Sequence, residues 1–316
     1  MIVLDKVTKT FGEKTAVKNL SLTVQKGEVF GFLGPNGAGK TTTMKMVLGL
    51  LKPTKGRISL FGEKAGSLAA RKKIGFLPET AHFYQHLTGR EFLRFVGEIF
   101  DIPTDIREKR IRTLLKQVHL PPEACDRRIG TYSKGMQQRI GMAQALINDP
   151  DVLFLDEPMS GLDPIGRREM KDIILHLKKE GKTVFFNSHI LSDAEALCDR
   201  VAIIHNGQIL VNDTVKNIVP ARKTLEDVFV EIITGGGKTK RGRKTATKKS
   251  TQKKTSSATK KTASASAKRT SPSAKSKKVS VKQSKATRTK KQATTTKKKP
   301  GPKKKTIPAL SKKNKK

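Results

Sequence analysis

The chain has no tryptophan, only two cysteines and, beyond Glu231, not one acidic residue. Each shortage excludes something. Cys125 and Cys198 form no Cys-x-x-Cys pair, which excludes a disulfide-stapled scaffold or a cysteine zinc site and suits a reducing compartment. No run approaches the roughly 18 apolar residues of a membrane span. The start, Met1-Ile2-Val3-Leu4-Asp5-Lys6, lacks the long apolar core of a signal peptide. The expectation is a cytoplasmic chain that reaches a membrane only by docking onto a membrane protein.

The missing acid divides the chain in two. Of 316 residues, 66 are Lys or Arg and 27 are Asp or Glu, a net charge of +39. The stretch from Lys238 to Lys316 holds 31 of the basic residues and none of the acidic ones. It is built of Lys, Ser, Thr and Ala without aromatics, so it cannot bury enough apolar surface to offset the entropy of ordering. Residues 235–316 are therefore expected to be a disordered basic tail, joined at the hinge Gly235-Gly236-Gly237. Residues 1–234 are expected to form one compact domain. The tail's charge would draw DNA or RNA phosphates or an anionic membrane surface. With no aromatics among the lysines, base stacking is not expected. The bland alternative is an idle, solvated extension.

In the first part, Leu20, Leu22 and Val24 alternate with polar residues as a half-buried strand does. Strand-like runs recur at Gly56 to Phe61 and Ile74 to Leu77. From about residue 81 to 148 the pattern turns helical. Thr88-Gly89-Arg90-Glu91 reads as a capping box, followed by Phe92, Phe95, Val96 and Ile99 on one face. Ile111, Leu114, Leu115 and Val118 make a second amphipathic face, and Ser133 can cap a third helix. Then strands return. Val152 to Leu155 is apolar throughout, as in a strand buried on both faces of a parallel sheet. A helix through Met170, Ile173, Ile174 and Leu177 leads to a strand at Thr183 to Asn187. Ser192-Asp193-Ala194-Glu195 reads as another capping box. Val201 to Val211 reads as a hairpin around Asn206-Gly207 in a type I′ turn. Strands alternating with helices indicate an α/β fold with a mainly parallel sheet.

Gly34-Pro35-Asn36-Gly37-Ala38-Gly39-Lys40-Thr41 matches the P-loop pattern without a mismatch. The glycines let successive N–H groups converge on one phosphate. Lys40 supplies a positive charge for the outer phosphates, and the Thr41 hydroxyl can ligate Mg²⁺. Val29 to Leu33 reads as the strand entering the loop. Thr42 onward reads as the helix leaving it, with its N-terminal dipole towards the anion. The apolar run ending in Asp156-Glu157-Pro158 places two carboxylates at a strand's carboxyl end. Asp156 can hold Mg²⁺ there, and Glu157 can orient and deprotonate a water aimed at the γ-phosphate.

Between these motifs lies Tyr132-Ser133-Lys134-Gly135-Met136-Gln137-Gln138-Arg139. Ser133, Gly135, Gln137, Gln138 and Arg139 match the signature of the ATP-binding cassette family. Here the chain resembles that family, and specifically its single-cassette drug- and antibiotic-export type, to which Tyr132, Lys134 and Met136 also look similar. The resemblance implies a P-loop NTPase (RecA-like) core with a mainly parallel sheet, a small antiparallel β part and a helical subdomain. It implies that ATP is bound and hydrolysed with Mg²⁺. It places Phe11 against adenine, Thr42 at the phosphates, and Glu79 where most cassettes have a metal- and γ-phosphate-sensing Gln. His189, after Asn187-Ser188, would contact the γ-phosphate. Asp163, in Ser160-Gly161-Leu162-Asp163, would touch a partner subunit, whose site Ser133 and Gly135 would complete. The resemblance thus implies a homodimer or paired cassette working on a separate transmembrane permease. The alternative is a soluble cassette ATPase tethered to nucleic acid by its tail. A histone-like protein with a vestigial cassette is disfavoured by the presence of Lys40, Asp156, Glu157 and His189 together. The tail itself resembles linker-histone tails in composition only.

Overall fold

The computed structural model describes residues 1–234, so the expectation of a disordered tail at 235–316 lies outside the described residues. The chain opens with β1 (Ile2–Phe11) and β2 (Lys14–Val24), then β3 (Val29–Leu33), α1 (Lys40–Val47), β4 (Lys55–Leu60), β5 (Glu63–Lys64), α2 (Leu68–Arg71) and β6 (Ile74–Leu77). Helices α3 (Gly89–Ile99), α4 (Thr104–Gln117), α5 (Pro122–Cys125) and α6 (Lys134–Leu146) follow. The chain then alternates through β7 (Val152–Asp156), α7 (Pro164–Lys179), β8 (Thr183–Ser188) and α8 (Leu191–Leu197). It closes with β9 (Arg200–His205), β10 (Gln208–Thr214), α9 (Val215–Ile218) and α10 (Leu225–Thr234).

Two sheets result. One is antiparallel, in the order β2-β1-β4-β5. The other, in the order β10-β9-β3-β8-β7-β6, is parallel except for the edge hairpin β9–β10. This is the α/β P-loop NTPase architecture with a small antiparallel part. The strand period of two sorts the larger sheet's side chains between two cores. Phe30, Phe32, Phe154 and Phe185 point to the core shared with the antiparallel sheet. Their rings lie at 5.6 Å centroid separations around Phe185, within the range where tilted aromatic pairs attract. Val29, Leu33, Leu153, Leu155 and Phe186 point to the other core, against the helices. With both faces covered, β3, β7 and β8 are buried along their whole length. Being parallel, they place the loops after them at one end of the sheet.

The Asn206-Gly207 turn has positive φ at both residues, 46° and 76°, as a type I′ turn requires. The Thr88 capping box forms as expected, with Thr88 and Glu91 bonded reciprocally. Ser133 caps α6 by accepting from the Met136 N–H.

Two expectations are corrected. On α3 the buried residues are Gly89, Phe92, Leu93 and Gly97, with Val96 partly buried. Phe95 and Ile99 face outward, because α3 packs against α4 and α6 along the adjacent stripe. The second capping box, at Ser192, does not form. The N-cap of α8 is Ile190, with no side-chain cap. Asp193 is drawn instead to Arg167 and Lys171, each at 2.7 Å, and Glu195 accepts from the Leu225 N–H.

Candidate active site

The carboxyl end of β3 delivers the loop 34–40 to the start of α1. Gly39 is the N-cap of α1 at φ 110°. A Cβ there would stand 2.7 Å from the Ala16 carbonyl oxygen, so both conformation and space demand glycine. Lys40 is 8% exposed, and its Nζ turns back to donate to the carbonyls of Gly34 at 2.7 Å and Pro35 at 3.3 Å. Burial lowers the Lys40 pKa below a lysine's ordinary value, opposed by the nearby carboxylates Glu157, Asp156 and Glu79.

Strand β7 ends at Asp156, directly beside Asn187 of β8. The Asn187 side-chain amide donates to Asp156 Oδ1 at 3.0 Å. Burial raises the Asp156 pKa and Glu157 and Glu79 raise it further, while the Asn187 hydrogen bond and Lys40 oppose them. Glu157 follows at φ 51°, a left-handed backbone that a residue with a Cβ adopts only under constraint. Its Oε2 lies 2.8 Å from His189 Nδ1 and accepts from the His189 backbone N–H at 3.4 Å. The Glu157 side chain is nearly buried, whereas that of His189 is half exposed.

These groups line one cavity of about 520 Å³. Of the residues singled out from sequence, Phe11, Asn36, Gly37, Gly39, Lys40, Thr41, Thr42, Glu79, Asp156, Glu157 and His189 line it. Gly34, Pro35 and Ala38 do not; the first two lend carbonyls to Lys40, and Ala38 is buried beneath the loop. Ser133, Gly135 and Asp163 line a separate recess of about 360 Å³, with Leu162 and Arg139. No residue lines both. Asp163 also N-caps α7 through the Gly166 N–H at 2.8 Å.

Sequence reasoning missed Lys14, Thr15 and Ala16 on the β1–β2 hairpin, and Asn206 and Gly207, all of which line the first cavity. Gly207 braces the loop, its N–H donating to the Ala38 carbonyl at 3.0 Å and its carbonyl accepting from Lys18 N at 2.8 Å. The signal available was the Asn-Gly turn itself, which says nothing of what the turn packs against. Gln138 stands out in the sequence only as a motif match. Its buried amide donates to the Pro158 carbonyl at 2.9 Å, tying α6 to the turn after Glu157.

A model of the ABC transporter family matches residues 17–160. The uncharacterized ABC transporter ATP-binding protein YxlF of Bacillus subtilis is 46% identical over 209 residues, which is 66% of this chain and 69% of that protein. The chain belongs to the ABC transporter ATP-binding protein family. Another uncharacterized member, from Synechocystis, is 48% identical over 223 residues, covering 70% of this chain and 62% of its own length. This ABC protein thus spans less than two thirds of that relative. The bacitracin transport ATP-binding protein BcrA of Bacillus licheniformis is 44% identical over 207 residues, 65% of this chain and 66% of that one. Among solved structures, a dimeric ATP-binding cassette in a post-hydrolysis state, bound to ADP and Pi, superposes with a TM-score of 0.63 at 27% identity. That superposition covers 68% of this chain and 99% of that one.

Proposed function

We propose that the chain is the ATP-binding and ATP-hydrolysing subunit of an ABC membrane exporter, powering a separate permease through ATP-dependent dimer closure at the cytoplasmic face of the membrane. The observation that carries this is the convergence of Lys40, Asp156, Glu157 and His189 on one cavity walled by the P-loop. The bacitracin relative's name supports transport.

In this reading Phe11 stacks on adenine and residues 34–42 cradle the phosphates. Lys40 exchanges its loop carbonyls for phosphate oxygens. Glu157 is the general base, held by His189 until the γ-phosphate arrives. Thr41, Asp156 and Glu79 would hold Mg²⁺, which would supply charge neutralisation at the phosphates. The donor set fits. Burial, and after it the negative charge of Glu157 and Glu79, raises the Asp156 pKa against the Asn187 hydrogen bond and Lys40, so a cation beside these carboxylates would be stabilised. Among the described residues no three His, Cys, Asp or Glu side chains are placed to grip a metal by themselves. Mg²⁺ takes one or two protein oxygens together with substrate phosphates and waters. Ser133, Gly135 and Asp163, lying in a recess of their own, would complete the site of a second copy or paired cassette. Among the described residues no helix is long and apolar enough to cross a membrane; the permease is proposed to be a separate chain. Isolation of the full chain from detergent-solubilised membranes tests it. Recovery with a multi-span protein is expected, and recovery with ribosomes or DNA alone would overturn it.

The basic residues from Lys238 to Lys316 are proposed to bind polyanions without sequence preference. Each neutralised phosphate of duplex DNA contributes roughly −0.9 to the slope of log K against log salt, so only binding that persists near ~150 mM salt is meaningful. A chain ending at Gly237 should keep its ATPase rate and lose binding to DNA or to anionic liposomes. Whichever binding is lost identifies the surface. An unchanged affinity for both would overturn the proposal.

A further inference from the structure

We infer that Lys9 is a positioning residue for the base end of the nucleotide site, fixing the Phe11 ring as a platform for adenine. The inference rests on the reading of Phe11 given above. Lys9 and Phe11 are two apart on β1, so their side chains leave the same face of the strand. Lys9 Nζ stands 5.0 Å from the centroid of the Phe11 ring, inside the distance at which an ammonium is attracted to a ring face. The same Nζ donates to the Lys52 carbonyl at 2.8 Å. Phe11 lines the cavity and Lys9 does not. The ammonium therefore engages the ring without occupying the cavity where a base would lie.

Lys52 lies just past α1, the helix that starts at Lys40. The segment around it is sewn to β1 by two more bonds. Thr54 N donates to the Thr8 carbonyl at 2.8 Å, and Thr10 N donates to Thr54 Oγ1 at 3.1 Å. One ammonium thus joins the ring to the chain leaving the phosphate-loop helix. The ring has need of such a tether. Phe11 is 50% exposed, and an unconstrained side chain loses rotamer entropy when a ligand orders it. A ring already set by Lys9 avoids most of that loss. Lys9 contributes here through geometry rather than through contact with the phosphates.

The test measures equilibrium affinities of the full chain for ATP and for inorganic tripolyphosphate, which has no base. The chains compared are the parent, Lys9→Met, Lys9→Arg, Phe11→Ala and the Lys9→Met/Phe11→Ala double variant. Lys9→Met should weaken ATP binding about two- to five-fold, the size of an exposed cation–π contact. It should leave tripolyphosphate binding unchanged, which also shows that the variant folds. It should cost nothing further in the Phe11→Ala background, and Lys9→Arg should retain the parent affinity. Equal losses for ATP and tripolyphosphate would reduce Lys9 to a general attractor of anions and overturn the inference. So would a Lys9→Met loss that persists without Phe11, or no loss at all while Phe11→Ala weakens ATP. Unchanged ATP affinity in Phe11→Ala would remove the platform reading itself, and the inference with it.

Discussion

Glu157 and Asp156 are neighbours in the chain with different surroundings. Glu157 holds His189 at 2.8 Å from a strained backbone, both lining the cavity. Glu157→Gln keeps the size and removes the proposed base. It should retain ATP binding, lower hydrolysis by about 10²- to 10⁴-fold and accumulate ATP-bound dimers in sedimentation; unchanged turnover would assign the base elsewhere. Asp156 is 6% exposed, and burial, with Glu157 and Glu79 beside it, raises its pKa above the ordinary value of about 3.9. Its charged form is therefore disfavoured in the folded state. That penalty is complete above the raised pKa and vanishes as pH falls below the ordinary one. Without nucleotide, Asp156→Asn should raise Tm at neutral pH, and the gain should shrink as pH drops towards about 4. A gain independent of pH would show that the carboxylate charge is not the cause. Single residues such as these were legible in sequence because a strand's end fixes where its last side chains emerge. The partners that surround them were not. Asn187 reaches Asp156 only because β7 and β8 lie side by side.

At the scale of elements, two similar sequence patterns had different fates. Thr88 and Glu91 bond reciprocally at the start of α3. At α8, Asp193 is 1% exposed and claimed by Arg167 and Lys171 of α7. A local pattern yields to a buried carboxylate with two cationic partners, since leaving either side unpaired would cost more than a cap provides. Thr88→Ala should therefore lower stability by about 1 kcal/mol in denaturant unfolding, while Ser192→Ala should change it by less than about 0.5 kcal/mol. Equal losses would restore the second cap. The outward Phe95 and Ile99 teach the same point. Helical periodicity shows that α3 is a helix, but which stripe is buried depends on where α4 and α6 lie. Likewise Lys14, Thr15 and Ala16 reach the cavity only because the antiparallel sheet packs on the parallel one, which no local pattern records.

At the scale of the molecule, the separate recesses matter most. The P-loop cavity and the Ser133–Asp163 recess share no lining residue, as the proposed composite site built from two chains requires. Ser133→Arg should bind ATP yet neither dimerise with it nor hydrolyse it, and Lys40→Ala should fail in nucleotide binding. A mixture of the two contains one intact composite site per heterodimer and should recover part of the parent ATPase rate. Sedimentation showing the same dimer with and without ATP, in the parent and in Ser133→Arg alike, would contradict this.

The Lys40 ammonium, wound into its own loop by the Gly34 and Pro35 carbonyls, has a kinetic consequence. A loop already coiled around a cation does not wait for its ligand to take shape. In the proposed reading, nucleotide arrival is an exchange of hydrogen-bond acceptors, phosphate oxygens taking the place of carbonyl oxygens around the Lys40 ammonium. Capture would then be governed by encounter and by the ease of that exchange.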